Sequence, residues 1–228
     1  MISSESDIMN KMIAKIEKTY ADRGGVSASD LIPDHPLSED SLVNELVFSM
    51  LMWESSIENA KKSAARIRDS LVDLNELRVC APSEISVILG ARTARSEERA
   101  RRILSVLNTI YQRENRVSLS VLSEMGKREV VEYLDGIDGL PIYVRNRLIL
   151  LCFDWHAFPL DERLVRLLNA TGLIDPSLGI EQQSQRFERI VRANESKRVY
   201  TLIEQWAQAR RTPRSGASKR ATPKGAKS

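Results

Sequence analysis

Residues 134–161, LDGIDGLPIYVRNRLILLCFDWHAFPLD, leave few ways for the chain around them to fold. Gly136, Gly139 and Pro141 interrupt a helical pattern with a tight hairpin. The apolar run Ile142–Phe153 is too long for a typical buried strand and reads as a helix. A short aromatic turn then passes through Pro159 to Asp161, which stands where a new helix begins. Each part has an ordinary explanation: glycine supplies a positive φ, and aspartate caps a helix. Each also has a chemical one. Successive backbone N–H groups of a Gly-rich turn at a helix N-terminus form an anion site. A carboxylate aimed into a cleft stabilises a developing cation or activates water.

The rest of the chain is helical in pattern. Asp7–Arg23 is amphipathic, with Ile8, Met12, Ile13 or Ile16, and Tyr20 on one face, and Gly24-Gly25 ends it. Ser38 is placed to cap a helix over Glu39–Glu54, whose Leu42, Leu46, Val47, Met50 and Leu51 mark it as central. Ser55-Ser56 starts Ile57–Leu74. Pro82 opens a short helix closed by Gly90. Ser96–Arg113 follows a basic loop at Arg92–Arg95, with Ala100, Ile103, Leu104, Leu107 and Ile110 inside and Arg99, Arg101 and Arg102 outside. Ser120–Met125 and Lys127–Leu134 lead into the hairpin. Glu162–Ala170 comes after Asp161, followed by Ile180–Asn194 and Glu195–Ala209, two helices or one with a break, the last part with a stripe of Val199, Leu202, Ile203 and Trp206. No alternating strand and no internal repeat interrupts this series. The expected fold class is all-α: about ten helices packed ridges into grooves.

Charge and cysteine usage narrow the classes further. Seven cations and no acid lie from Gln208 to the C-terminus, leaving 27 basic and 31 acidic residues in the rest, about −4. This Ser-, Gly-, Pro- and Lys/Arg-rich tail, residues 208–228, reads as disordered. It is either a contact arm that displaces counterions from phosphates or a solubilising extension. Cys80 and Cys152 lie in apolar helical surroundings and read as two buried free thiols in a reducing compartment. Two cysteines cannot supply the four thiolates of an iron–sulfur cluster. His35 and His156 have no clustered ligand partners, so no metal site is expected. No secretory signal and no apolar run of membrane-spanning length is visible. Trp53, Trp155 and Trp206 are expected in the core or in cleft walls.

From about Ser38 to Thr171 the sequence resembles the helix-hairpin-helix DNA glycosylases of the endonuclease III superfamily. That family's L-P-G-V-G-x-K-T-A signature lies without a gap over Ile137-Asp138-Gly139-Leu140-Pro141-Ile142-Tyr143-Val144-Arg145. Its turn ending in a catalytic aspartate lies over Phe158-Pro159-Leu160-Asp161. Its early L-S-x-Q-x-T loop falls within Leu46–Ala60, with Glu54 at the glutamine and Ser56 at the threonine.

The resemblance implies a helical barrel over residues 40–155, carrying the hairpin motif at 134–153. A second, discontinuous domain would comprise residues 1–39 and 156–207, the two helical subdomains flanking a DNA-binding cleft. The implied activity is base-excision DNA repair: a damaged or mispaired base is flipped from the duplex and its N-glycosidic bond is hydrolysed. Asp161 would be the catalytic carboxylate, with Tyr143 lining the base pocket. Gly139, Leu140, Pro141, Arg145, Glu54 and Ser56 would contact DNA. The implied partner is double-stranded DNA bound by a monomer, with no membrane, cofactor or iron–sulfur cluster, in the cytoplasm at a bacterial nucleoid or in a eukaryotic nucleus.

Departures from the pattern shape the expectation. The Schiff-base lysine of bifunctional members is Tyr143 here, so strand cleavage by that route is not expected. Tyrosine at this position is similar to the mismatch-specific thymine glycosylases, which makes thymine or uracil a candidate target. Pro141 replaces the second hairpin glycine and removes an N–H. Asp135 and Asp138 bring negative charge to the same turn. Pro141, the acidic hairpin and the acidic body favour the alternative of a non-catalytic DNA-binding or protein-interaction module on the same scaffold; a third reading is an unrelated helical regulatory protein in which the signature is accidental.

Overall fold

The computed structural model describes residues 2–20, 31–32, 35–90 and 95–210. Among them there is no strand. Eleven α-helices follow in order: α1 (Ile2–Tyr20), α2 (Ser41–Met52), α3 (Ile57–Ser70), α4 (Leu74–Val79), α5 (Pro82–Leu89), α6 (Ser96–Glu114), α7 (Lys127–Asp135), α8 (Ile142–Leu151), α9 (Glu162–Asn169), α10 (Ile180–Ile190) and α11 (Ser196–Gln208). Single 3-10 turns at Ser120–Glu124 and Ala193–Glu195 precede α7 and α11. No described helix is long and apolar enough to cross a membrane.

Two helices are apolar nearly all round, and they organise the core. Helix α2 buries every residue from Glu45 to Met52, and α8 buries Tyr143, Val144 and everything from Asn146 to Leu150. A helix with no polar face must sit inside. The two pack on each other, α3 and α6 cover α2, and α7 returns through the hairpin onto α8. Helices α4 and α5 close against α6. Helix α11 joins this layer to α1 and α9, and α1 also meets α10.

Local departures from the sequence reading each have a physical cause. Asp40, not Ser38, caps α2: its carboxylate accepts from Leu42 N at 2.9 Å and Val43 N at 3.2 Å. A carboxylate at a helix N-terminus also favours the dipole, which a hydroxyl does not. Helix α3 stops at Ser70, and Asp73 caps the separate α4. In α1 the inward face is Met9, Ile13 and Ile16, whereas Ile8 is exposed. Arg99 is not outside: it is 3 % exposed and donates to the carbonyls of Met50 (3.1 Å) and Trp53 (2.6 Å). Its guanidinium thus satisfies carbonyls that the end of α2 leaves without helical partners. The two cysteines are unpaired and neither is buried; Cys152 is exposed. Gln208 is not tail but the last residue of α11, where its side-chain oxygen accepts from Ile57 N at 3.1 Å. Arg210 stacks on Trp206 at 4.4 Å. Residues 21–30, 91–94 and 211–228, which hold the Gly24-Gly25 stop, most of the basic loop and most of the tail, lie outside the described residues.

Candidate active site at the start of helix α9

The hairpin is built as a tight connection between α7 and α8. Gly139 has φ +80°, which strains any L side chain, and a Cβ there would crowd Ser105 Cβ at 3.2 Å. Leu140 N returns to Ile137 O at 3.3 Å, and Pro141 takes the N-cap position of α8. Each charge near the turn is engaged within the protein. Asp138 accepts from Ser105 Oγ at 2.6 Å, Asp135 pairs with Arg145 at 2.5 Å, and Arg102 donates to Gly139 O at 3.2 Å. Arg113 reaches the carbonyls of Tyr133 and Gly136.

Asp161 is the N-cap of α9, as the Phe158-Pro159-Leu160 approach predicts. Its Oδ1 accepts from Leu164 N at 2.8 Å. Its Oδ2 accepts from Glu54 N, also at 2.8 Å, across a sequence separation of 107 residues. The side chain is 1 % exposed. Burial is the largest influence on its pKa and pushes it up to about 7; the nearby Arg163 opposes this, while Glu204 and Glu54 add to it. Two N–H donors and a guanidinium do not offset the loss of water around a carboxylate.

Glu54 belongs to the same cluster. It sits in the left-handed region with φ 53°. Its Oε1 accepts from Arg163 N at 3.3 Å and its Oε2 pairs with Arg166 at 3.3 Å. Ser56, the other residue of this turn singled out by sequence, caps α3 through Asn59 N at 3.2 Å.

Tyr143 faces inward from α8, 2 % exposed. Its hydroxyl donates to Glu204 at 3.0 Å and meets the Tyr200 hydroxyl at 3.0 Å. Glu204 also takes Arg163 at 2.6 Å, and the Arg163 Nε, which has no hydrogen bond, is 3.8 Å from Asp161. Tyr143 and Asp161 therefore belong to one buried polar network bridging α8, α9 and α11. Its extension is Arg147, fully buried, which donates to Glu45, Ser49, Tyr200 and the carbonyl of Leu31. Burial raises the tyrosine pKa values, so both phenols stay protonated as donors.

Sequence reasoning missed Glu45, Arg147, Arg163 and Glu204. The signal was present: Glu45 is the one charge in α2, and Arg147 and Glu204 interrupt the apolar stretches of α8 and α11. Charges so placed are buried only when paired. The network is closed to solvent. A cavity of about 560 Å³ opens elsewhere, between α1 and the end of α11, lined by Ile8, Lys11, Met12, Lys15, Ile16 and Trp206. His156 bridges Ser196 Oγ and Glu188 O, both at 2.7 Å, and ties α10 to α11.

An all-α chain with a glycine hairpin between α7 and α8, and an aspartate capping the next helix, has the helix-hairpin-helix glycosylase fold. Solved structures show this directly. Endonuclease III trapped in a covalent intermediate with DNA is 11 % identical, with a TM-score of 0.65 over 93 % of this chain and 90 % of that one. H. pylori 3-methyladenine DNA glycosylase bound to 1,N6-ethenoadenine is 13 % identical, with a TM-score of 0.61 over 91 % and 99 %. A thermostable thymine-DNA glycosylase is 16 % identical, with a TM-score of 0.56 over 92 % and 90 %. No family model matches the sequence, and neither does any curated protein. The likeness is one of fold, and the site must speak for chemistry.

Proposed function

We propose that this protein is a monofunctional DNA glycosylase that hydrolyses the N-glycosidic bond of a flipped base. The observation that carries the reading is the position of Asp161, capping α9 one helix beyond the hairpin. As the glycosidic bond breaks, its electron pair leaves with the base and positive charge develops on the sugar. The ionised carboxylate stabilises that charge and takes a proton from the attacking water, whose oxygen bonds to C1′, while the base leaves with the bonding pair and takes up a proton from solvent. With Tyr143 in place of an amine, water is the nucleophile and an abasic site is the product. Duplex DNA would lie across the junction of a barrel, residues 40–155, and a discontinuous domain, residues 1–39 and 156–207. It would touch Gly139, Leu140 and Pro141 of the hairpin, Arg145, and the Glu54–Ser56 turn. A mispaired thymine or uracil is the first target to try.

A second reading, a non-catalytic DNA-binding module on this scaffold, is favoured by one observation: the carboxylate is sealed from solvent and both its oxygens are occupied. One assay separates the two. Duplexes bearing uracil, a G·T mismatch or an alkylated base are incubated with protein, then cleaved with alkali at abasic sites. Base release by the wild type that Asp161→Asn abolishes supports the glycosylase. Duplex binding without release across the panel supports the module.

A further inference from the structure

One of the two hydrogen bonds that occupy Asp161 comes from a residue in an unfavourable conformation. Glu54 is neither glycine nor asparagine, yet it holds φ 53°, a region in which Cβ crowds the backbone of an L-residue. Its contacts offset that strain. Its N–H donates to Asp161 Oδ2, and its carboxylate, with a side chain 4 % exposed, accepts the N–H of Arg163 in the first turn of α9. Two carboxylates thus occupy the start of α9, one from its own cap and one from the opposite turn.

The outer side of this contact is one end of a continuous chain of ion pairs. Arg166 joins Glu54 (3.3 Å) to Glu162 (3.5 Å), and Glu162 takes Arg95 at 2.6 Å. Arg95 lies 3.7 Å from Glu98, which pairs with Arg102 at 3.1 Å, and Arg102 holds the hairpin carbonyl of Gly139. Arg95 and Arg102 lie over the Trp53 ring, 5.6 and 4.9 Å from its centre. The chain therefore runs from the hairpin, over Trp53, to Glu54. Its three arginines are 35 %, 36 % and 57 % exposed. Exposed pairs of this kind contribute little each, whereas a guanidinium binds phosphate in a bidentate, charge-assisted way. A polyanion can therefore draw these cations from their glutamates.

We propose that Glu54 is a latch holding the Trp53–Ser55 turn closed over the Asp161 carboxylate, and that the phosphates of a bound duplex release it by capturing Arg95, Arg102 and Arg166. Release frees Asp161 Oδ2 from the Glu54 N–H and leaves it beside the unbonded Arg163 Nε, open to a ligand. Glu54 is on this account a positioning residue. The inference rests on the DNA-binding reading only for the releasing ligand.

Amide hydrogen exchange on the full chain tests both halves. In Glu54→Gln and in Arg166→Gln, exchange at the Glu54-position and Arg163 amides is expected to quicken about tenfold, with amides of α8 such as Leu148 unchanged. Arg166 is largely exposed, so the second variant is safe for folding. No change at the two amides in either variant overturns the latch. In the wild type, an undamaged duplex oligonucleotide at low salt is expected to quicken the same two amides, and added NaCl to reverse this. Bound duplex with unchanged or slower exchange overturns release by phosphates. Failure of the protein to bind any duplex overturns that release, and the DNA-binding reading with it, while the two variants still decide whether the latch exists.

Discussion

The two oxygens of Asp161 accept backbone N–H groups, yet burial outweighs them and sets its pKa at about 7 against an ordinary 3.8. The native state then keeps this proton longer than the unfolded chain does. Below pH 4 both states are protonated and the group contributes nothing. Between about pH 4 and pH 7 stability falls as pH rises, and above pH 7 the full cost, on the order of 4 kcal/mol, is present. Asp161→Asn removes that cost. The stability of the variant relative to wild type, from urea midpoints, is expected to rise from pH 5 to pH 8; a pH-independent difference would mean an ordinary carboxylate. If Asp161 is the catalytic base, wild-type base release climbs over the same interval. Gly139 gives a simpler test. Its φ of +80° and the Ser105 Cβ at 3.2 Å predict a loss of about 1–3 kcal/mol for Gly139→Ala in denaturant titration. Both residues were legible in sequence, because a cap before a helix and a glycine in a hairpin are local requirements.

At the scale of elements, α2 and α8 are held in register by more than apolar packing. Arg147 of α8 donates twice to Glu45 of α2, and reaches Tyr200 of α11 and the carbonyl of Leu31. Removing one member of a buried pair strands the other charge. Arg147→Met is expected to cost about 3–5 kcal/mol, whereas Glu45→Leu with Arg147→Met is expected to recover much of the loss in thermal or urea unfolding. Equal destabilisation by the single and double variants would show that the hydrogen bonds, not the stranded charge, set the cost. Arg99 is the parallel case for α6, capping the end of α2. Helical periodicity places it one step from Ala100, at the edge of the buried stripe. The sequence reading puts it outside because a charge there has no visible partner; the partners are carbonyls about fifty residues away in the chain.

For the molecule as a whole, charge is divided between the folded body and the C-terminal segment. Six cations lie beyond Arg210, and the remainder is net acidic. The arginines nearest the hairpin are already paired with acids. If the protein grips DNA, those six cations carry much of the electrostatic affinity. Truncation after Arg210, which spares Gln208 and its cap on α3, is expected to weaken duplex binding. It should also reduce the salt slope by about 0.9 for each phosphate no longer neutralised. An unchanged slope in the truncated protein would make the segment a solubiliser.

What the sequence determined by itself is local: most of the helices, the helix start at Pro82, the caps at Ser56 and Asp161, the glycine hairpin, and the order that matches a helix-hairpin-helix fold. Those features depend on residues within a turn or two of one another, and periodicity records them. Tertiary structure alone decided the state of the site. It brought Glu54 to the start of α9, sealed Asp161, and turned Tyr143 into a member of a buried network with Glu204 and Arg163. The reason is distance along the chain. Burial and hydrogen-bond partners belong to pairs separated by forty to over a hundred residues, and no local pattern encodes which lone charge in one apolar helix will meet which in another.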